Sequence, residues 1–288
     1  MIPAELNKYV CEKLSEIHGQ DVHIHTESAI GGGCINHALK LKTNVNTYFL
    51  KWNDASSFPG MFDSEARGLN LLRSSNSVSI PEVISFGESG NYSFLMLEYV
   101  DSGAMNKNYW ENFGRSLSEL HKKSATNFGL NHDNYIGSLN QSNQDRPTWK
   151  DFFVNERLIP QLKLANLESG LSQKFENLFE KLDDIFPNEP PALIHGDLWS
   201  GNYMVSESGD PVIMDASVYY GHREMDLAMS KLFGGFEARF YTAYNEASHL
   251  EKDWESRMDI CNLYPLLVHV NLFGGSYLSQ IESIMRRF

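Results

Sequence analysis

The sequence has few cysteines and no long apolar run. Its 288 residues include only three cysteines, Cys11, Cys34 and Cys261, which are too few and too scattered for a disulfide framework or a CxxC metal site. No stretch approaches about 18 uninterrupted apolar residues, and the first residues lack the basic and apolar regions of a signal peptide. We therefore expect a cytoplasmic protein that has no membrane partner and does not depend on disulfides for stability.

Positive charge is also scarce. Lys and Arg together number 24 against 37 Asp and Glu, which gives a formal net charge of −13. A protein that binds the nucleic-acid backbone needs a basic face, so nucleic acid is not an expected partner. Apolar residues at 42% and charged residues at 21% are ordinary for a globular chain. The length suits roughly two domains, or one domain built as two lobes.

The hydrophobic pattern changes near residue 100. Before it, an amphipathic segment is followed by five strand-like runs at 23–30, 34–41, 47–52, 82–86 and 92–99, and by one helical pattern at 62–73. After it, helical spacing dominates, at 109–122, 149–164, 171–185, 225–232 and beyond 237, with short strand patterns at 192–194, 203–205 and 212–214. The pattern predicts an α+β fold with an N-lobe at 1–100, built on an antiparallel sheet, and a larger helical C-lobe at 101–288.

Three polar residues follow the short strands of the C-lobe. Asp197 and Asn202 lie five positions apart on a glycine-containing loop, and Asp215 ends the strand that comes next. Phosphoryl transfer needs a carboxylate to hold the acceptor hydroxyl and hard oxygen ligands for Mg²⁺. The order of these residues is that of the catalytic and metal-binding loops of kinases. It predicts Asp197 as the catalytic base and Asn202 and Asp215 as metal ligands, with His195 bracing the loop. The alternative for each of these residues taken alone is a structural role, in which its side chain forms an Asx-turn or caps the next segment.

The N-lobe has residues that would complete a nucleotide site. Lys51 lies in an apolar strand, where an ammonium is costly unless it is paired or holds an anion. Glu65, in the helical pattern, is the expected partner that positions Lys51 for the α- and β-phosphates. A lysine that extends from an edge strand to solvent is the alternative.

Two further segments of the N-lobe are candidates for contact with the nucleotide. Gly31, Gly32 and Gly33 could fold over the phosphates with their backbone N–H groups, or form an ordinary hairpin turn. Glu98 and Val100, at the end of the last strand of this lobe, could present backbone groups to adenine, or be a plain strand end.

The motifs together resemble those of the fructosamine/ketosamine kinase family, relatives of the aminoglycoside and choline phosphotransferases within the protein-kinase-like fold. The resemblance covers nearly the whole chain. Its most specific motif is H-G-D-L-W-x-G-N at 195–202, and the others are G-G-G-C-I-N at 31–36, F-D-S-E-A at 62–66, Y-G-H-R-E at 220–224 with D-L-A-M at 226–229, F-G-G-F at 233–236, and L-V-H-V-N-L-F-G-G-S-Y at 267–277.

The resemblance implies a two-lobed kinase that uses ATP and Mg²⁺ to phosphorylate the C3 hydroxyl of ketosamines. Such adducts of sugars with amines become unstable when phosphorylated, so the implied role is deglycation and repair. It also implies the catalytic, metal and phosphate roles given above for Asp197, Asn202, Asp215, Lys51 and Glu65. Candidate acceptor-site residues are Trp199, His222, Glu224 and His269. Where the family commonly has Pro-Ala after the strand-end aspartate, this chain has Ala216-Ser217, so the loop lacks the proline that would fix its φ.

Two alternatives to this function remain. A small-molecule kinase for another hydroxyl, such as that of an aminoglycoside, choline or a sugar, would use the same catalytic residues. A catalytically inactive nucleotide-binding module would not need them all. Cys34, beside the glycines, is a candidate redox site that could link two copies through an intermolecular disulfide, or it could be a small buried hydrophobe. Either a monomer or a redox-linked dimer is therefore expected.

Overall fold

The structure is a computed structural model that describes residues 1–31 and 35–288. Gly32, Gly33 and Cys34, to which the sequence analysis assigns phosphate-binding and redox roles, lie outside the described residues.

The N-terminal part contains an antiparallel sheet of five strands in the order β1-β2-β3-β5-β4. The strands are β1 (Ile24–Ala29), β2 (His37–Thr43), β3 (Thr47–Asp54), β4 (Val83–Ser89) and β5 (Tyr92–Glu98). The central strand β3 is buried on both faces over much of its length, as its run of apolar residues predicts. The predicted strand at 34–41 was placed too early, since β2 begins at His37.

Two helices cover the two faces of this sheet. Side chains alternate along β5, so Phe94 and Met96 contact α1 (Ala4–His18) through its apolar face, Leu6, Val10 and Leu14. Leu95 and Leu97 point to the other face, which packs with α2 (Met61–Ser74) into the larger core of the molecule. The amphipathic spacing of both helices explains these positions.

The remainder of the chain is mainly helical. Its helices are α3 (Tyr109–His121), α4 (Trp149–Phe152), a π-helix (Phe153–Leu158), α5 (Ile159–Ala165), α6 (Ser169–Ile185), α7 (Glu224–Leu232), α8 (Ala238–Ala247), α9 (Trp254–Cys261), α10 (Leu263–Phe273), a 3₁₀-helix (Gly275–Tyr277) and α11 (Leu278–Met285). The single helix predicted at 149–164 is therefore interrupted by a π-helical segment. In the part of the chain that the structure describes, none of these helices is both long enough and apolar enough to cross a membrane.

Three short hairpins or strand pairs lie within the helical part. They are β6 (Asn134–Ile136) with β7 (Leu139–Gln141), β8 (Ala192–Ile194) with β11 (Tyr219–Gly221), and β9 (Tyr203–Val205) with β10 (Pro211–Ile213). The pattern predicted β8, β9 and β10 but neither β11 nor the β6–β7 hairpin. The predicted lobe boundary at residue 100 falls between β5 and α3 and stays a prediction.

Candidate functional site

A cavity of about 560 Å³ lies where the sheet meets the helical part. The sheet and α2 contribute Ala38, Phe49, Lys51 and Glu65 to its wall. The segments around β8, β9 and β10 contribute further polar residues, as do the β6–β7 hairpin and the residue before β2. The full polar set is Asn36, Lys51, Ser64, Glu65, Asn134, Tyr135, Asp197, Asn202, Tyr203, Asp215 and Ser217. The structure thus brings together the five residues from which the sequence analysis predicted phosphoryl transfer.

Lys51 lies on β3, opposite Ala38 of β2 and Leu95 of β5, and its side chain is buried. Its ammonium donates to Glu65 Oε1 at 2.5 Å and to Asp215 Oδ1 at 2.8 Å. Burial alone would lower the pKa of Lys51, but the two carboxylates outweigh it and raise the pKa above its ordinary value. Lys51 is therefore a permanently charged group that links the sheet, α2 and the loop after β10.

Asp197 and Asn202 are held together on the loop between β8 and β9. The Asn202 amide Nδ2 donates to Asp197 Oδ2 at 2.8 Å and to the Asp197 backbone oxygen at 2.8 Å. Burial and the nearby charge of Asp215 raise the pKa of the Asp197 carboxyl well above its usual value, although the Asn202 hydrogen bond opposes this shift. A carboxylate with a raised pKa is a better proton acceptor near neutral pH than an ordinary one.

Asp215 has the backbone conformation that non-glycine residues seldom adopt, with φ of 56°. Aspartate tolerates this left-handed region better than most residues do. The conformation is held from both sides, because Met214 N donates to the Asn202 oxygen at 3.0 Å and Ser217 N donates to the His195 oxygen at 2.9 Å. Although burial favours the neutral form, the Lys51 ammonium holds the pKa of Asp215 below its ordinary value. The Asp215 carboxylate is therefore ionised.

The buried Asp226 at the start of α7 holds the loop after β8, which carries Asp197, through hydrogen bonds. Its two carboxylate oxygens accept the His195 N–H at 2.7 Å and the Gly196 N–H at 2.9 Å, and His121 Nε2 lies 3.2 Å away. His195 Nε2 is bonded to the Met214 oxygen at 2.9 Å, so the ring also joins the two loops. Gly196 has φ of 82°, and a Cβ there would lie 2.1 Å from the Ser217 oxygen. Only glycine fits at this position.

Trp199 and His269 lie on the helical side of Asp197. Trp199 lines the main cavity and is 36% exposed, and its indole lies over Gly201, where a Cβ would approach the ring to 2.4 Å. His269 of α10 lines a small adjoining cavity together with Asp197. Its Nδ1 is bonded to the Pro265 oxygen at 2.7 Å. Both predicted acceptor-site residues are therefore near the predicted base.

His222 and Glu224 do not reach this cavity. The Glu224 carboxylate binds Arg257 through both oxygens, at 2.6 and 2.8 Å, and is fully buried. The buried His222 ring packs against Trp149 and Phe186, and its Nε2 lies 3.8 Å from a Glu189 oxygen, too far for a hydrogen bond. Burial lowers the pKa of His222 to about 4, so the ring is neutral. In this arrangement neither side chain can contact a substrate beside Asp197, because both are enclosed by protein partners.

The nucleotide contacts predicted in the N-lobe fall in two different cavities. Gly31 lines the main cavity. Glu98 and Val100 instead line a second cavity of about 500 Å³, whose walls include Arg73, Ser79 and Ser206. The Glu98 N–H donates to the Glu82 oxygen at 2.8 Å, because β4 pairs with β5 up to this point. The main cavity instead has an apolar part of its wall that includes Ala38, Phe49, Met204 and Met214.

Several residues of the site carry no signal in the sequence. Asn134 and Tyr135 of the β6–β7 hairpin line the cavity, and Ser217 Oγ donates to the Tyr135 oxygen at 2.7 Å. Beneath them the fully buried Arg157 donates to Asn143 Oδ1 at 2.6 Å, and Asn143 donates to Asn134 Oδ1 at 3.0 Å. Among the residues described, no carboxylate pairs with Arg157. No periodicity marks this network, because its members come from short loops.

The fold is of a known class. The solved structure of a thermostable mutant of the aminoglycoside phosphotransferase APH(4)-Ia, in a ternary complex with AMP-PNP and hygromycin B, has a TM-score of 0.61 to this chain at 15% identity, covering 96% of this chain and 97% of that one. At this identity the likeness shows the fold alone. It confirms the prediction of a two-lobed, protein-kinase-like α+β fold, with a small antiparallel sheet followed by a larger helical part.

The family is shown by closer matches. Residues 6–288 match the sequence model of the fructosamine kinase family. A chloroplastic protein-ribulosamine 3-kinase of Arabidopsis thaliana is 38% identical over 276 residues, which cover 93% of this chain and 83% of the plant protein. The structure of a candidate fructosamine-3-kinase from Thermobifida fusca has a TM-score of 0.87 at 33% identity, covering 96% of this chain and 97% of that one. The chain belongs to the fructosamine kinase family.

Proposed function

We propose that this protein is an ATP-dependent kinase that phosphorylates the C3 hydroxyl of ketosamines and so promotes their deglycation. The observation that carries the proposal is the convergence of Lys51, Asp197, Asn202 and Asp215 on one cavity. The family and the names of its members support a ketosamine as the acceptor and C3 as the position. The cytoplasmic location and the redox-linked dimer stay predictions from the sequence.

Asp197 has the geometry of a general base. Asn202 binds its Oδ2, and among the described residues no group donates a hydrogen bond to its Oδ1. Oδ1 is therefore available to accept the proton of a sugar hydroxyl as that oxygen attacks the γ-phosphorus of ATP. The raised pKa of Asp197 makes this transfer more favourable near neutral pH. Trp199 offers a rigid apolar face to the sugar beside the base.

Lys51 is suited to binding the phosphates. An ammonium has three N–H donors, and Glu65 and Asp215 take two of them in this structure. The third can donate to a phosphate oxygen, while the two carboxylates fix the direction of the side chain. The apolar wall of Ala38, Phe49, Met204 and Met214 is the part of the cavity that suits the adenine ring.

The donor set beside Asp197 fits a magnesium ion. Asn202 uses its Nδ2 for hydrogen bonds, and Asp215 uses Oδ1 for Lys51. Within the described part of the chain, no hydrogen bond reaches Asn202 Oδ1 or Asp215 Oδ2, so two residues of the cavity lining each keep one hard oxygen for a ligand. Oxygens of this kind are the ligands that Mg²⁺ prefers. We propose that these two residues hold Mg²⁺, which supplies neutralisation of the charge on the nucleotide phosphates.

The test is ADP release with a panel of acceptors. Fructose- and ribose-derived ketosamines of a simple amine would be compared with free sugars, choline and aminoglycosides, each with and without Mg²⁺. We expect turnover with a ketosamine only when ATP and Mg²⁺ are both present, and a product whose ³¹P–¹³C coupling locates the phosphate on O3. Turnover with another acceptor and none with any ketosamine would refute the proposal.

A further inference from the structure

A group of aromatic side chains, two of them exposed, lies next to Trp199 on the helical side of the molecule. We call Phe233, His269, Phe273 and Tyr277 the aromatic rim. The His269 ring is at its centre, with ring centroids 4.9 Å from Phe233, 5.5 Å from Phe273 and 4.9 Å from Tyr277. The four rings are supplied by the end of α7, by α10 and by the 3₁₀-helix that follows it.

The aromatic rim is continuous with the site of the predicted base. Phe233 lies 6.0 Å from Trp199 between ring centroids, and Trp199 lines the main cavity. His269 shares the small adjoining cavity with Asp197. Phe233 is 39% exposed and Phe273 is 55% exposed, so the rim presents uncovered ring surface next to the site of reaction. A group attached to a sugar held at Asp197 would extend along this surface.

Positive charge is scarce in the two cavities beside the rim. Among the described residues that line the two cavities, Lys51 is the only Lys or Arg, and Glu65 and Asp215 already bind it. Burial lowers the pKa of His269, so its imidazole is neutral. Because Nδ1 then donates to the Pro265 oxygen, Nε2 is left as a hydrogen-bond acceptor. The rim therefore offers aromatic faces and an acceptor, both of which suit a cation.

On the basis of the kinase function proposed above, we propose that the aromatic rim binds the amine-bearing part of the ketosamine and selects adducts whose nitrogen carries an alkyl stem without a neighbouring carboxylate. The nitrogen of a ketosamine is a secondary ammonium, which is attracted to ring faces and can donate to an acceptor. The alkyl stem packs on the exposed rings as lysine stems do on apolar surface. Among the described residues that line the two cavities, a carboxylate on the adjacent carbon finds no unpaired Lys or Arg to bind, and Asp197 and Asp215 add carboxylates to the same lining.

Two matched acceptors isolate the effect of the carboxylate. The ketosamines of pentylamine and norleucine differ only by the carboxylate beside the nitrogen, and both nitrogens are cationic at neutral pH. We expect the pentylamine adduct to have a KM about tenfold lower, with a similar kcat, because the carboxylate is unpaired when bound. Equal KM values for the two adducts, or a lower KM for norleucine, would overturn the proposal.

Variants of Phe273 test whether the rim is responsible. Phe273→Ala should raise the KM of the pentylamine adduct several-fold and leave its kcat near the wild-type value, since this ring lies away from the reacting atoms. Phe273→Arg should lower the KM of the norleucine adduct below that of the wild type by supplying the missing cation. The control is Phe86→Ala, which removes a phenylalanine of β4 that is 40% exposed. If Phe86→Ala changes the KM values as much as Phe273→Ala does, the rim is not the binding surface.

The methylamine ketosamine separates this proposal from the underlying one. It has the sugar and the ammonium but almost no stem, so it should be turned over with a raised KM and respond little to Phe273→Ala. Turnover of all three adducts without discrimination would refute the rim as a specificity site and leave the kinase function standing. Absence of turnover with all three adducts would refute both.

Discussion

Asp226→Asn should lower both the free energy of unfolding and kcat. The buried carboxylate accepts the N–H groups of His195 and Gly196 at 2.7 and 2.9 Å. An asparagine keeps one acceptor and turns the other oxygen into an NH₂ group that faces a backbone N–H. The change removes one charge-assisted hydrogen bond and leaves one buried donor without a partner, which costs about 3 kcal/mol of unfolding free energy. Displacement of the two N–H groups also moves Asp197, so kcat should fall.

Urea unfolding followed by tryptophan fluorescence gives the free energy, and ADP release gives kcat. The matched control is Asp259→Asn, which removes an exposed carboxylate 3.2 Å from Arg287. A surface pair of this kind contributes at most about 1 kcal/mol. If Asp226→Asn lowered the unfolding free energy and kcat no more than Asp259→Asn does, the Asp226 carboxylate would not hold the loop that carries Asp197.

Three further predictions follow from the same contacts. His222 has a folded pKa of about 4, below the ordinary 6.5, so at this residue only the unfolded chain takes up a proton as pH falls between these values. This difference should contribute about 3 kcal/mol to the loss of stability over that window, and the pH slope of the unfolding free energy of His222→Gln should be flatter in urea titrations. Gly201→Ala should displace the Trp199 indole, which lies 2.4 Å from the added Cβ, shifting tryptophan emission and raising the acceptor KM with little effect on ATP binding. Arg157→Lys should lose the contact at 3.9 Å with the Tyr219 ring and part of the fork of hydrogen bonds, and cost about 2 kcal/mol in thermal or urea unfolding. An unchanged pH slope in His222→Gln, an unchanged tryptophan emission in Gly201→Ala, or an unchanged stability in Arg157→Lys would contradict the corresponding prediction.

The strands and helices of the N-lobe could be predicted because their apolar residues follow regular local patterns. The continuous apolar run of β5 and the three- and four-residue spacing on α2 are local patterns, and both place their apolar residues in a core. The β6–β7 hairpin could not be predicted in this way. Each of its strands is short, and its positions are set by buried polar contacts such as Asn134 to the Val218 oxygen at 2.8 Å. Such contacts join residues far apart in the chain and leave no period.

Some residues of the candidate site could also be predicted from the sequence, and others could not. Asp197, Asn202 and Asp215 lie on loops fixed by adjacent strands, so their spacing in the sequence was enough to bring them together. His222 and Glu224 are close to the site in sequence but are enclosed by Trp149, Glu189 and Arg257, which come from distant segments. The motif at 220–224 does not indicate that Glu224 pairs with Arg257. Neighbouring motif residues therefore differ in role according to partners that only the tertiary structure supplies.

The role of Asp197 as the base is tested most directly by comparing wild type with Asp197→Asn in phosphoryl transfer from ATP to a ketosamine, with ATP affinity measured by calorimetry on the same preparations. The amide cannot accept the proton of the sugar hydroxyl, so turnover should fall about a thousandfold while the Kd for Mg²⁺-ATP stays within a few-fold of the wild-type value. A variant that still transfers phosphate at close to the wild-type rate would contradict the assignment of Asp197 as the base, and with it the proposed chemistry of this cavity.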